Sequence, residues 1–322
     1  MKIIESQKEQ YILDYFKNCE WGAAKFLYSL IDEDKLYKTL GEIMKYVKLA
    51  NGVEVPQLWF GVFQIPPQET KEAVKKAIEV GYRHFDTAQA YFNEEGVGQA
   101  IAESEIDREE FFITTKVWHS HHGYVETKNA CEESLKKLQT DYIDLYLIHQ
   151  NIGDVFGTWR ALEELYEEGK VKAIGVCNFT ETRFTNLALH NKIKPMVNQI
   201  EINPFFQQQG AEDFHSKFGT LIESWGPLAE GRNGIFKNPI LAEIGEKYNK
   251  SVAQVIIRWI IQRGIIVFPK STKQERMEEN FNVFDFELTD GDMEKIKELE
   301  TGEPIAYIDT PQFIESISQF GV

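Results

Sequence analysis

The chain has 322 residues, of which 43% are hydrophobic and 27% charged, a mixture that suits a globular protein with a large core. Its 35 Lys and Arg against 51 Asp and Glu give a formal net charge of −16, which repels phosphate backbones and anionic lipids and argues against nucleic-acid or membrane partners. Three cysteines without a CxxC pair, a charged amino terminus and no run of about 18 apolar residues indicate a cytoplasmic protein.

The first 48 residues differ in pattern from the rest of the chain. Their apolar residues recur at spacings of three and four, the period of an amphipathic helix, on both sides of a polar break at Asp32-Glu33-Asp34. We therefore predict a helical hairpin over residues 1–48 that extends the main domain. The sequence leaves open whether its apolar stripes dock on that domain, close a dimer or bind a separate regulatory partner. We expect a monomer or a dimer.

From Val47 the pattern changes to short β-like stretches around Asn51-Gly52, a hairpin turn signal. Short apolar runs then alternate with helical patterns at a repeat of roughly 30 residues, the length of one βα unit. The runs are Leu58–Val62, Tyr82–Phe85, Phe111–Thr115, Tyr142–Ile148, Val171–Val176, Met196–Ile200, Thr220–Trp225 and Gly264–Phe268, and the helical patterns include Glu69–Val80, Val125–Leu138, Val155–Glu168 and Val252–Gln262. The GxGxxG fingerprint of a Rossmann domain does not follow the first run, which argues against that fold. The sequence predicts an α/β domain, a (β/α)8 TIM barrel, over residues 49–322.

Polar side chains stand at the C-terminal ends of most predicted strands, where barrel enzymes carry their chemistry. In chain order these are Asp86, Lys116, His149, Asn178, Gln199, Trp225 and the pair Lys270-Ser271. A purely structural barrel does not need titratable groups that converge on one rim. We therefore predict an active site there.

Asp86, Lys116 and His149 are expected to share one pocket with Tyr91, on the loop after the second strand. A tyrosine has a pKa of about 10 and is a poor acid at neutral pH, and a lysine ammonium beside its hydroxyl lowers that pKa. Asp86 would hold Lys116 charged, and His149 would orient a substrate carbonyl or relay the proton. Because no nucleophile-plus-base pair stands out, this general acid suits reduction of a carbonyl by an external hydride.

Longer stretches around these residues resemble the signatures of the aldo-keto reductase superfamily. The matching stretches are Gly81–Ala88 with Tyr91, Asn93–Glu95 and Val97-Gly98, then Thr115–Trp118, Leu147–His149, Gly175–Phe179, Asn198–Glu201 and Pro269–Ser271 with Arg276, Glu279 and Asn280. The resemblance runs from about Leu49 to about Leu299. His149-Gln150 and Trp159–Glu163 are most similar to bacterial reductases of the 2,5-diketo-gluconate reductase type.

The resemblance implies NADPH-dependent reduction of a small aldehyde or ketone, with Tyr91 as proton donor tuned by Lys116 and Asp86. It places the nicotinamide carboxamide on Asn178 and Gln199 and the nicotinamide ring on Trp225. It implies that Lys270, Ser271 and Arg276 hold a 2′-phosphate, with Glu279 and Asn280 near the adenine, and this cluster of cations is the reason to prefer NADPH over NADH. The remaining implied cofactor contacts are Gly61, Val62, Phe63, Gly226, Pro227 and Leu228, and the implied substrate contacts are Trp118, His119 and His149.

Two residues depart from the family pattern. Cys177 stands where many members have serine, and a thiol is a weaker hydrogen-bonding group, so its grip on the carboxamide is expected to be looser. Gln150-Asn151 replaces the usual pair with proline after the histidine, which alters the loop beside the substrate.

Several alternatives stay open in the sequence. His119, His121 and His122 could be imagined as metal ligands, but they lie on a short loop with no helix to fix their geometry, and we expect no metal. The aromatic residues of the tail, Tyr307, Phe313 and Phe320, either cover the pocket mouth or pack on the barrel exterior. The rival functions are a non-catalytic NADPH-binding redox sensor and a barrel enzyme that uses Lys116 for Schiff-base chemistry.

Overall fold

The structure is a computed structural model that describes residues 45–321. Residues 1–44, most of the predicted helical extension, lie outside the described residues, so that extension stays a prediction. Its last three residues do not belong to a helix, because Tyr46–Lys48 form a β-strand. Tyr46 and Lys48 are exposed while Val47 packs on the core. This alternation is the period of a strand, and the helical assignment of Val47 was wrong.

A small antiparallel hairpin opens the described part of the chain. Strand β1, Tyr46–Lys48, pairs with β2, Glu54–Pro56, with Val47 opposite Val55. Gly52 in the connecting turn has φ of +89°, which glycine adopts without steric cost. The turn predicted at Asn51-Gly52 is therefore confirmed. The side chain of Asn51 donates to the carbonyl of Lys172 at 2.9 Å, just before a barrel strand begins, so the hairpin lies at the N-terminal end of the barrel.

Eight parallel strands form the barrel that the sequence predicts. They are β3 Phe60–Gly61, β4 His84–Asp86, β5 Phe112–Val117, β6 Leu145–Ile148, β7 Ile174–Cys177, β8 Val197–Glu201, β9 Leu221–Trp225 and β10 Ile266–Val267, and they pair in chain order. A parallel bridge between Leu58 and Val267 joins the first strand to the last. The Trp59 amide donates to the carbonyl of Val267 at 2.8 Å, which helps to close the sheet into a cylinder.

Helices surround the strands and cover their outer faces. They are α1 Pro67–Val80, α2 Glu94–Ala102, α3 Tyr124–Leu138, α4 Val155–Glu167, α5 Glu181–Leu189, α6 Ala211–Ser216, α7 Pro239–Tyr248, α8 Val252–Gln262, α9 Gln274–Phe281, α10 Asp290–Lys297 and α11 Pro311–Ser318. The helical patterns predicted from the sequence match α1, α3, α4 and α8 to within two residues at each end. Helix α8 begins with a capping box formed by Ser251 and Gln254, which fixes its first turn. Within residues 45–321 no helix is long and apolar enough to cross a membrane.

The side chains inside the barrel form layers that differ in polarity. Every residue of β5 and β6 is buried, because one face meets the barrel interior and the other meets helices. The aromatic side chains of Trp59, His84 and Phe112 contact one another in the lower layer. Asp86 stands two residues beyond His84 on β4, and Lys116 stands four residues beyond Phe112 on β5, each on the same face as the residue below it. The barrel thus carries an apolar layer beneath a charged one, which opens toward the C-terminal rim.

Candidate active site

The charged layer is built around an ion pair between two buried side chains. Lys116 Nζ lies 2.6 Å from Asp86 Oδ1 and 2.8 Å from Oδ2, and it donates a further hydrogen bond to the carbonyl of Thr87 at 2.9 Å. Both side chains are almost fully buried, so each charge depends on the other for its compensation. Burial tends to lower the pKa of Lys116, but Asp86 and Tyr91 outweigh it, and the pKa is raised. Lys116 is therefore a firmly charged ammonium.

Tyr91 ends a short 3-10 turn, Gln89–Tyr91, that follows β4. Its hydroxyl lies 3.5 Å from Lys116 Nζ. Burial raises the pKa of Tyr91 above its ordinary value, and the Lys116 ammonium opposes that rise without overcoming it. Lys116 thus acts on this pKa in the predicted direction, but desolvation of the phenolate is the larger effect, and the net shift is upward. The hydroxyl keeps its proton at neutral pH, which is the form a proton donor needs.

His149 follows β6 and faces Tyr91 across the rim. The two rings meet edge to face with centroids 5.6 Å apart, and Trp118 packs against His149 at 4.9 Å. Burial and the nearby Lys116 charge hold the pKa of His149 well below its usual range. The imidazole is therefore neutral, and it can offer one N–H to a carbonyl oxygen without adding a second positive charge.

A cavity of about 740 Å³ opens above these groups at the C-terminal rim. Its volume is in the range of small-molecule and cofactor sites. Of the residues predicted for the site, it is lined by Gly61, Phe63, Asp86, Tyr91, Trp118, His149, Asn178, Gln199, Trp225, Gly226, Pro227, Leu228 and Lys270. Residues from most strand ends thus meet around one space, as the sequence predicted.

Other predicted residues do not line this cavity. Lys116 lies beneath Tyr91, and Val62 is buried with its amide donating to the carbonyl of Asp86 at 3.0 Å. His119 packs its ring on Trp118 but does not reach the cavity wall. The predicted phosphate and adenine residues continue beyond Lys270, on the following turn and on α9: Ser271, Arg276, Glu279 and Asn280.

One wall of the cavity presents amides and a flat ring. Trp225 Nε1 donates to Asn178 Oδ1 at 2.8 Å, and Asn178 Nδ2 donates to the carbonyl of His149 at 3.3 Å. Asn178 has φ of 63°, a left-handed conformation that asparagine tolerates better than most residues. Cys177 also lines the cavity, but its thiol is a weak donor and lies 3.7 Å from Gln199 Oε1. This wall suits a flat aromatic ring that carries an amide.

The other end of the site presents free positive charge. Lys270 and Arg276 are exposed and form no ion pair with any side chain of residues 45–321. Lys273, between them, is likewise exposed and unpaired among the described residues, so three such cations lie within seven residues of sequence on an acidic chain. Together with the amide-bearing wall, they fit a ligand with a flat ring at one end and a phosphate at the other.

The C-terminal tail covers part of the cavity, which decides between the two placements left open by the sequence. Ile305, Ile308, Phe313 and Phe320 line the space, and Trp118 Nε1 donates to the carbonyl of Phe320 at 2.8 Å. Tyr307, by contrast, is exposed and lines a separate, smaller cavity. The aromatic residues of the tail do not by themselves indicate the surface on which the tail packs.

Further residues of the site could not be named individually from the sequence, although the loop Gly226–Asn238 is expected to contribute to substrate specificity. Glu230, Arg232 and Phe236, on the loop after β9, line the cavity, and Arg232 pairs with Glu230 at 2.9 Å. Glu223 is fully buried beneath the site and was not singled out. It stands two residues before Trp225 on the same strand, so the period of a strand could have placed it on the same inward face.

The histidine loop after β5 was considered as a metal site. Within residues 45–321, no group of three or more His, Cys, Asp and Glu side chains is arranged to hold a metal ion. His122 Nδ1 instead hydrogen-bonds the carbonyl of Ile152 at 2.6 Å, and burial lowers the pKa of His122 to about 4. This histidine therefore ties two loops of the rim together.

The structure is thus a (β/α)8 barrel in which a tyrosine, a lysine and an aspartate are grouped beside a cavity at the C-terminal rim, where barrel enzymes carry their active sites. The model of the Aldo/keto reductase family matches residues 57–301, so the chain belongs to that family. The family and the fold predicted from the sequence are confirmed, and the chain is an oxidoreductase of the aldo-keto reductase kind.

The match with this chain extends over almost the whole length of several known relatives. The 9,11-endoperoxide prostaglandin H2 reductase of Trypanosoma cruzi (strain CL Brener) is 52% identical over 256 residues, which are 79% of this chain and 90% of that protein. Glyoxal reductase of Bacillus subtilis (strain 168) is 49% identical over 261 residues, 80% of this chain and 94% of that protein. The structure of a Bombyx mori aldo-keto reductase in complex with NADP superimposes with a TM-score of 0.79 at 35% identity and covers 84% of this chain and 98% of that one.

Proposed function

We propose that this enzyme reduces an aldehyde or ketone with NADPH and that Tyr91 donates the proton to the carbonyl oxygen. The observation that carries the proposal is the protonated Tyr91 hydroxyl, which lies beside the cavity and 3.5 Å from the Lys116 ammonium. Two findings support it: relatives about half identical in sequence are named as reductases, one of them a glyoxal reductase, and a Bombyx mori relative is solved with NADP.

The chemistry of this chain's own residues follows from their protonation states. Bound NADPH would supply a hydride to the carbonyl carbon, and the carbonyl oxygen then takes a proton. Tyr91 gives up its phenolic proton to that oxygen and becomes a phenolate, which solvent later reprotonates. The Lys116 ammonium stabilises the phenolate by Coulombic attraction, and Asp86 keeps that ammonium charged and in place. The two charges are therefore positioned before the reaction begins.

His149 and Trp118 orient the substrate in this proposal. The neutral imidazole of His149 donates a hydrogen bond to the same carbonyl oxygen that receives the proton, which also polarises the carbonyl. Trp118 is buried, with its ring held at one end by Phe320 and at the other by His149. It therefore forms a rigid apolar wall for the body of the substrate.

The remaining predicted residues would hold the cofactor. Asn178 and Gln199 would bind the nicotinamide carboxamide and Trp225 the nicotinamide ring, while Gly226, Pro227 and Leu228 line the same cavity. Lys270, Ser271 and Arg276 would bind the 2′-phosphate, with Glu279 and Asn280 near the adenine. The unpaired cations at this end favour NADPH over NADH.

The test is turnover of methylglyoxal and an aromatic aldehyde, followed by the loss of NADPH absorbance. In Tyr91→Phe we expect kcat to fall by about a hundredfold or more, because the general acid is lost, while the Kd for NADPH measured by fluorescence stays near that of the wild type. The matched control is Tyr124→Phe, which removes a phenol that donates to Glu164 on the outer surface. Undiminished turnover in Tyr91→Phe, or no carbonyl reduction by the wild type, contradicts the proposal.

A further inference from the structure

Glu223 is a buried carboxyl group that the proposed reaction does not use. It lies on β9, fully buried, in register with Gln199 of β8. Its Oε2 accepts a hydrogen bond from Gln199 Nε2 at 2.9 Å, while its Oε1 has no hydrogen-bond partner among residues 45–321. An apolar side chain would fill this position at less cost, so the carboxyl group requires an explanation.

Gln199 joins the two carboxyl groups beneath the site. Its single amide nitrogen donates to Asp86 Oδ2 at 2.9 Å and to Glu223 Oε2 at 2.9 Å. A primary amide has two N–H bonds, so both are used within the barrel. Only the carbonyl oxygen of Gln199 remains, and it faces the weak thiol donor of Cys177 at 3.7 Å. Gln199 also lines the cavity, so a ligand meets it as a hydrogen-bond acceptor.

The charge balance of the layer decides the protonation state of Glu223. Asp86 and Lys116 already neutralise each other, and the fully buried Glu223 has no cation of its own within hydrogen-bonding distance among the described residues. A second carboxylate would therefore be an unpaired charge in a low-dielectric interior. Burial, reinforced by the Asp86 charge, raises the pKa of Glu223 well above its ordinary value. A neutral Glu223 still accepts the hydrogen bond of Gln199 through one oxygen.

We propose that Glu223 is a positioning residue that keeps its proton and, by accepting one N–H of Gln199, leaves only the Gln199 carbonyl oxygen to meet the NH2 group of the nicotinamide carboxamide. The inference rests on the proposed function, because it concerns the bound NADPH. Asp86 and Glu223 act together: the Asp86 carboxylate disfavours a reversed amide, which would turn the Gln199 oxygen toward it, and Glu223 occupies the second N–H. Glu223 thereby connects the catalytic ion pair to the orientation of the cofactor.

The first test compares Glu223→Leu with Glu223→Gln in NADPH binding, measured by fluorescence titration. Leucine cannot accept a hydrogen bond and leaves one buried N–H of Gln199 unpaired, so we expect the Kd for NADPH to rise roughly tenfold. Glutamine keeps an acceptor oxygen and is expected to restore most of that affinity. Ser224→Ala is the matched control, since its buried hydroxyl on the same strand donates to the carbonyl of Ile202 and not to the site.

A second readout keeps the inference falsifiable if Glu223→Leu does not fold. The titratable groups that face Glu223 are Asp86, Lys116 and Cys177, and Tyr91 lies beyond Lys116. If Glu223 is neutral, Glu223→Gln removes no charge, and its kcat–pH profile for reduction overlays that of the wild type on the basic side. If Glu223 is ionised, the variant loses a negative charge, the pKa of Tyr91 falls, and the basic limb moves to lower pH.

The outcomes separate this inference from the proposed function. A wild type that binds NADPH and reduces methylglyoxal establishes the proposed function independently of Glu223. With that result in hand, an unchanged Kd for NADPH in Glu223→Leu, or a basic limb that moves in Glu223→Gln, would overturn the positioning role. A wild type that does not bind NADPH overturns the proposed function itself.

Discussion

The buried pair of Asp86 and Lys116 carries the electrostatics of the site at the scale of single residues. Two opposite charges removed from water lose much of their hydration, and their mutual attraction repays that loss only in close geometry. Here three donated hydrogen bonds of Lys116, two of them to Asp86, provide such geometry. The ion pair is therefore a source of fixed charge beside Tyr91 and only a weak source of stability.

The ion pair predicts that substitutions of Asp86 and Lys116 have non-additive effects on the free energy of unfolding. In Lys116→Met, Asp86 is left as an uncompensated buried carboxylate, and we expect the free energy of unfolding in urea to fall by about 3 kcal/mol or more. In the double variant Asp86→Asn with Lys116→Met, no charge remains, and the loss is expected to be smaller. Lys71→Met, which removes a partly exposed partner of Glu103, is the control, with an expected change below about 1 kcal/mol. A double variant at least as destabilised as Lys116→Met would contradict the account.

The position of the residues Asp86, Lys116 and His149 could be predicted because each directly follows or ends an apolar strand. The pKa of Tyr91 could not be predicted in the same way. The sequence shows that a lysine is near, but the net shift depends on how far the phenol is removed from water, which only the packed rim determines. Glu223 was missed for a similar reason, since its partner Gln199 becomes visible only when β8 and β9 are in register.

At the scale of elements, the C-terminal tail is the part of the site that the barrel itself does not supply. Helix α11 and the residues around it follow the segment matched by the family model, which ends at residue 301. Phe320 packs edge to face against Trp118 and near Phe92, above the mouth of the cavity. The tail therefore adds an apolar cover to the substrate half of the site.

The cover predicts a selective effect on substrates. In Phe320→Ala the carbonyl that accepts from Trp118 remains, but the ring is lost, and we expect the KM for an aromatic aldehyde to rise roughly three- to tenfold. The KM for methylglyoxal should change little, because so small a molecule does not reach the ring. Leu189→Ala, at an exposed apolar position away from the cavity, is the control. Equal increases in both KM values would show that the ring supports the fold and not the substrate.

The barrel strands and the helices around them were predictable because each repeats one βα unit with its own apolar period. The placement of the tail was not, since its aromatic residues carry no information about the surface on which they pack. At the strand Tyr46–Lys48 the local spacing predicts the wrong element. Val47 continues a helical spacing by chance, but its pairing with Val55 makes the segment a strand. The local sequence pattern predicts whether a segment forms a helix or a strand. Where the pattern fits both, the surface against which the segment packs decides which one forms.

At the scale of the whole molecule, the net charge of −16 opposes the binding of a multiply charged anion. Recognition of NADPH must therefore depend on a local concentration of positive charge. We expect Lys270 and Arg276 to supply it, since both are exposed and unpaired among the described side chains. Because the rest of the surface is acidic, these two cations account for a larger share of the electrostatic attraction for the cofactor.

This balance predicts the cofactor preference. Arg276→Ala is expected to raise the KM for NADPH about tenfold or more, because a charge-assisted hydrogen bond to the 2′-phosphate is lost. The KM for NADH, which lacks that phosphate, should stay within about twofold. Lys273→Ala removes a neighbouring cation from the same segment and serves as the control. A parallel loss of NADH binding would mean that Arg276 supports the segment and does not read the phosphate.

Single-turnover kinetics test whether Tyr91 delivers the proton in a reduction by NADPH. Enzyme loaded with NADPH is mixed with methylglyoxal in a stopped-flow instrument, and the oxidation of the bound cofactor is followed in the wild type and in Tyr91→Phe. The account predicts fast oxidation in the wild type and a rate lower by about a hundredfold or more in the variant, with cofactor loading unchanged. Equal single-turnover rates in the two proteins would contradict it.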